Sequence, residues 1–318
     1  MTSIRIRARG LVFISAGLVA LVVLGAMWPR AGVALPQFDW IESLAGAGRG
    51  GFASGDVTGV VRLWEVSTRR SSLRISAHDA PIRSIAVSQA GGVIASGAHD
   101  GTIRLWDTTT GQLLKQLNAG SSLRCIDLSA AADLLLSVEQ SGVVRIWDVE
   151  STGEIAKLDL KARAVAGAFV DDKPLVVVAG SKVVVWNYID LSVESIDGVV
   201  AVNALAVENG TVYVAGPTQI DAIDIASLKI MQRFKTGYPP QSMAISDTGK
   251  ELAIAWGKSG IFLGWSGGVN VIDLTTGEPI LEASNWGVRA NACCFVPGTR
   301  MLAVGYAGSS RSLQLMSY

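Results

Sequence analysis

Between Ala77 and Asp107, apolar residues alternate with polar ones in two runs, SIAV and GTIRLW. That period of two puts every second side chain on one face of a strand. Gly91-Gly92 and Asp100-Gly101 punctuate the runs as tight turns, so the stretch predicts a β-meander. Aligned on Trp106, equivalent positions fall at Trp64, Trp147, Trp186, Ile223, Ile272 and Met316, in steps of 42, 41, 39, 37, 49 and 44 residues. Three copies share one turn composition just after that position: Thr109-Thr110-Gly111-Gln112, Ser151-Thr152-Gly153-Glu154 and Thr275-Thr276-Gly277-Glu278. The pattern predicts seven copies of one β unit, each burying its apolar face against its neighbours.

One stretch breaks the alternation. Leu11 to Trp28 is an 18-residue run without a charge, preceded by Arg5, Arg7 and Arg9. As a helix it would be roughly 27 Å long at about 1.5 Å per residue, close to the hydrocarbon thickness of a bilayer. With only Arg30 just after it, the arginine asymmetry predicts a cytoplasmic basic segment at 1–10, a transmembrane signal-anchor helix at 11–28, a short linker at 29–32 and the repeats outside. The expected location is single-pass membrane with the repeats extracytoplasmic, periplasmic if the host is bacterial. The alternative is a signal peptide cut near the small residues Gly32 and Ala34, which would leave a secreted soluble protein.

The period near 40, with units ending in Leu63-Trp64-Glu65, Leu105-Trp106-Asp107 and Ile146-Trp147-Asp148, resembles the WD-repeat β-propeller family over residues 31–318. The resemblance implies an all-β, seven-bladed β-propeller of WD-repeat type at 33–318, preceded by the N-terminal transmembrane helix. In the family, the counterparts of His78, Ser96, Asp100 and Trp106 form a buried structural relay, His to Asp and Ser to Trp. Ser54 with Trp64, and Ser137 with Trp147, match it in part. Such propellers close by lending an N-terminal strand to the last blade, which implies a closing strand at 33–38, VALPQF. If each blade runs from an inner strand a to an outer strand d, this closure puts the a–b and c–d turns beside the membrane. The d–a and b–c loops then face away.

Composition narrows the chemistry. Lys plus Arg and Asp plus Glu number 27 each, and no basic cluster interleaves with aromatics, so nucleic acid is not an expected partner. Two histidines and scattered carboxylates assemble no Ser/His/Asp set, no acid pair and no metal cluster, so neither an enzyme nor a cofactor is expected. Cys125, Cys293 and Cys294 lack zinc spacing and read as small buried thiols; the alternative for the adjacent pair is a vicinal disulfide. Gly46 to Gly51 spells GxGxxG but precedes a strand rather than a helix, which makes it a hairpin loop. Asn209-Gly210 likewise reads as a turn, although Asn209-Gly210-Thr211 is also a glycan acceptor sequence.

Two features suggest a partner-binding face. Lys258 to Gly268, KSGIFLGWSGG, reads as a b–c loop rich in large apolar groups, between Tyr238-Pro239-Pro240 and Asn285-Trp286-Gly287. Together these predict an aromatic patch of Tyr238, Phe262, Trp265 and Trp286 on the face away from the membrane. Around the channel mouth, the position of Arg83 becomes Ile41, Arg124, Ala166, Asn203, Gln241 and Asn291 in the other blades, with Arg163, Arg289 and exposed His99 nearby. Such a rim suits a protein or peptide partner with acidic or carbonyl groups. The function expected is a non-enzymatic, membrane-anchored interaction scaffold, tied to the lipid bilayer through 11–28. The alternative is an extracytoplasmic propeller enzyme, a hydrolase or quinone-cofactor dehydrogenase, which needs carboxylate or His ligands converging on the mouth.

Overall fold

The computed structural model describes residues 32–35, 39–48, 50–88, 92–170, 175–180, 182–196, 198–199, 202–260, 264–307 and 312–318. The run 11–28, and with it the predicted membrane helix, lies outside these residues, as do Pro36 to Phe38 of the predicted closing strand. Among the described residues no helix is long and apolar enough to cross a membrane.

The strands form seven four-stranded antiparallel sheets, each ordered from inner to outer strand along the chain. The first holds β2 to β5 (Ile41–Gly46, Gly51–Asp56, Val60–Glu65, Arg70–Ser76) and the second β6 to β9 (Ile82–Val87, Val93–Ala98, Thr102–Asp107, Leu113–Asn118). The third holds β10 to β13 (Leu123–Leu128, Leu134–Glu139, Val143–Asp148, Glu154–Asp159) and the fourth β14 to β17 (Ala164–Phe169, Leu175–Gly180, Val183–Asn187, Val193–Ile196). The fifth holds β18 to β21 (Ala204–Glu208, Thr211–Ala215, Gln219–Asp224, Lys229–Lys235) and the sixth β22 to β25 (Pro240–Ile245, Glu251–Gly260, Gly264–Asp273, Pro279–Trp286). The last combines β26 to β28 (Arg289–Val296, Met301–Ala307, Leu313–Ser317) with β1 (Val33–Ala34) as its outer strand. β1 runs antiparallel to β28, Val33 opposite Leu315, and the Leu35 amide donates to the Leu313 carbonyl at 3.0 Å.

The core is divided among the junctions between consecutive sheets. Leu35, Leu313 and Leu315 of the last sheet pack on Ile41, Phe52 and Trp64 of the first, which closes the ring. Trp106, Trp147 and Trp186 fill the next three junctions, each inserted against the preceding sheet, and Ile223 and Met316 do the same in later ones. The motif tryptophan is thus the plug of an inter-blade junction, and an aliphatic side chain serves where it is missing. Sulfur is part of this core. Cys293 and Cys294 are free thiols on opposite faces of β26, one in each flanking junction, so they do not form the vicinal disulfide.

The sixth sheet departs from the sequence reading. Lys258 to Gly260 and Gly264 to Gly268 are strand rather than loop: the ladder continues through Lys258 opposite Ser266 and Ser259 opposite Trp265 to Gly260 opposite Gly264. β25 follows it up to Trp286, which lies opposite Ser266. The glycines allow this extension. A Cβ at Gly257 would run into the Arg289 side chain, and one at Gly268 into the Ala283 carbonyl.

Candidate functional site

The hydroxyl of Ser96 on β7 organises the interior of the second blade. It accepts from Trp106 Nε1 at 2.9 Å and lies 2.8 Å from His78 Nε2. On the other side of the ring, His78 Nδ1 lies 3.0 Å from the Thr102 hydroxyl, which donates to Asp100 at 2.7 Å. With Trp able only to donate and ionised Asp only to accept, every bond is satisfied in one direction, Trp106 to Ser96 to His78 to Thr102 to Asp100. That assigns the proton of a neutral imidazole to Nδ1. Burial, reinforced by the Arg104 charge, lowers the His78 pKa to about 4, which keeps the ring neutral. The predicted relay therefore needs one correction: His78 reaches Asp100 through Thr102, not directly. Trp64 to Ser54 and Trp147 to Ser137, each at 2.8 Å, repeat only the Trp–Ser half.

The channel mouth is built by a repeated irregularity. Near the start of the inner strands β2, β6, β10, β14, β22 and β26, the ladder skips one residue: Glu42, Arg83, Arg124, Val165, Gln241 and Asn291. Each bulge re-aims one side chain out of the pleat. Together with Asn203, Arg289 and Trp40, these six line a cavity of about 710 Å³ on the face of the d–a and b–c loops. Ile41 and Ala166, predicted for two of these positions, are paired ladder residues, and Glu42 and Val165 take their places; Ile41 is buried in the core.

Charge in the mouth is unbalanced. Glu42 meets Arg83 at 3.1 Å and accepts from the Asn291 amide at 3.4 Å; burial raises its carboxyl above the ordinary range, with Arg83 and Arg289 opposing. Arg289 donates to the Gln241 side chain. Arg124 has no carboxylate in an ion pair among the described residues, and its buried Nε has no hydrogen-bond partner there. Burial and the charges of Arg163 and Arg83 lower the Arg124 pKa, although a guanidinium stays charged. Arg163 acts there through its field and does not line the cavity, and exposed His99 sits at a b–c turn away from it.

The WD domain, G-beta repeat family matches residues 69–107. That segment is β5 through β8 and ends on Trp106-Asp107, so it holds the whole relay. The match covers one repeat of a chain whose seven four-stranded sheets form a β-propeller. Among curated proteins, none matches the chain. Of the residues at the bulges, the matched segment includes Arg83 alone.

The predicted aromatic patch is distributed along the propeller's sixth blade. Tyr238 stacks on Trp256 with ring centroids 4.0 Å apart, and the Lys258 ammonium lies 5.6 Å from the Tyr238 ring. Trp265 and Trp286 belong to β24 and β25 rather than to loops, at neighbouring ladder positions, and Phe262 lies outside the described residues. Sequence reasoning missed Trp40, half exposed on the rim, and Glu42, the carboxylate lining the cavity. Their signal was available: both flank Ile41, one step out of the register assumed for that blade.

Proposed function

We propose that this WD-repeat propeller is a non-enzymatic scaffold, tethered to a membrane by residues 11–28, that presents its mouth to an acidic segment of an extracytoplasmic protein partner. The observation that carries the reading is Arg124. A buried guanidinium edge without a partner, beside Arg83 and Arg289 in a mouth whose carboxylate is already paired, is complementary to a carboxylate. The extended strands of the sixth blade rise on the same face, and the reading takes Trp265 and Trp286 in their sequence as the aromatic contacts of the partner.

The test uses the full chain in detergent with fluorescent acidic peptides and their amide counterparts, in which Glu and Asp become Gln and Asn. Acidic peptides bind and amide peptides do not; Arg124→Gln weakens binding at least tenfold, and Trp265→Ala with Trp286→Ala also weakens it. Equal binding of both peptide sets, or equal binding by Arg124→Gln, overturns the reading.

A further inference from the structure

The residue five positions beyond each motif Trp, or its replacement, has left-handed φ in six blades: Arg69, Gly111, Thr152, Leu191, Leu228 and Gly277. The six c–d turns therefore share one backbone shape, and their side chains can be compared directly. In the fourth blade the turn between β16 and β17 is apolar at its tip, with Ile189 73% exposed, Leu191 59% and the adjoining Val193 45%. Asp190 between them is turned back on the loop, accepting from the Asn187 amide group at 3.1 Å and from the Ser192 backbone at 2.8 Å. Single exposed apolar residues are ordinary, but three within five positions, on a turn whose tip elsewhere carries Ser67, Thr109, Glu150, Ala226 or Thr275, form a patch.

Position in the ring says what covers it. The described chain begins at Gly32, where a Cβ would touch Met316 at the outer edge of the last blade and on the c–d turn side. The fourth blade is three blades from the last in one direction and four in the other, across the ring. Trp28, the end of the uncharged apolar run, is joined to Val33 through four residues, a reach of at most about 18 Å. One face of the disc thus has Gly32 at one edge and the apolar turn at the opposite edge.

We propose that Ile189 and Leu191 insert into the interfacial layer of the bilayer that holds the tether, so that the propeller lies flat on the membrane with its mouth outward. The proposal rests on the membrane-anchor reading of residues 11–28. Insertion of this kind depends on apolar area rather than on anionic lipid, since the turn carries no Lys or Arg and its one carboxylate, Asp190, is turned back on the loop.

The test is a pair of full-length variants, Leu191→Cys and His99→Cys, labelled with an environment-sensitive fluorophore and reconstituted into phosphatidylcholine vesicles. The native cysteines are partly or fully buried, and burial raises their thiol pKa, so labelling favours the introduced site. The label at 191 shifts to the blue and loses emission to a lipid-borne quencher, unchanged by added anionic lipid, while the label at 99 stays water-like. A water-like label at 191 on protein that floats with the vesicles overturns the insertion and leaves the anchor standing. Failure to float with the vesicles overturns both.

Discussion

Ser96 shows how much one small side chain can hold. Its hydroxyl joins Trp106 to His78, so Ser96→Ala leaves two buried polar groups without a partner at one stroke. An unsatisfied buried group costs about 1–3 kcal/mol. Ser96→Ala should therefore lose more stability in urea denaturation than Ser137→Ala, whose hydroxyl serves Trp147. Equal losses would mean that the relay adds nothing to the Trp–Ser bond. His78 and Asp127 make the protein's stability depend on pH in opposite senses. His78 is held near 4 against an ordinary 6.5, so its stabilising effect is present above 6.5 and is lost as pH falls toward 4. Burial lifts Asp127, despite bonds from the Phe169 and Leu128 amides, to about 6 from 3.8, so its contribution grows as pH falls through the same window. Asp127→Asn should make acid destabilisation between pH 6 and 4 steeper, whereas His78→Gln should remove it; denaturation midpoints at pH 4.5, 5.5 and 7 read both.

At the scale of strands, the inner-strand bulges do the functional placement and the glycines of the sixth blade do the structural one. A bulge displaces one residue from the alternation, so whether Ile41 or Glu42 faces the mouth turns on a single-residue slip. Apolar alternation is indifferent to that slip at a strand end, which is why Arg83, Arg124, Gln241 and Asn291 were legible while Glu42, Val165 and Trp40 were not. In the same way, Lys258 to Gly268 reads as a loop because its glycines weaken any local strand signal, yet the ladder across to β25 carries Lys258 to Gly260 and Gly264 to Gly268 as strand. Among the described glycines of this blade, Gly268 makes the closest approach to another backbone. Gly268→Ala sets a methyl against the Ala283 carbonyl and should cost about 1–3 kcal/mol, measured by thermal unfolding, whereas Gly237→Ala, with open space around it and no left-handed φ, should cost less. If both behave alike, close backbone approach is not what requires glycine at 268.

For the whole molecule, ring closure is the step with no local substitute. Every junction but one joins sheets made of consecutive strands; the last sheet needs β1 from the opposite end of the propeller chain. Leu35 secures it, buried between the last and first blades and bonded to Leu313. Leu35→Ala should lower stability by about 2–5 kcal/mol. It should also speed hydrogen exchange in β28 before other strands; uniform exchange would show that closure is not the weak junction.

By itself the sequence determined the repeat, the period-two strands, the recurring motif positions at Trp64, Trp106, Trp147 and Trp186, and most members of the relay. These follow from side-chain chemistry recurring at fixed spacing, which needs no knowledge of neighbours. Only the tertiary structure decided that Thr102 bridges His78 and Asp100, that Glu42 shares the mouth with Arg83, and that Ile189 and Leu191 lie across the ring from the chain's entry. Those relations join residues through ladder register and circular closure, and neither is written in the local alternation of any one strand.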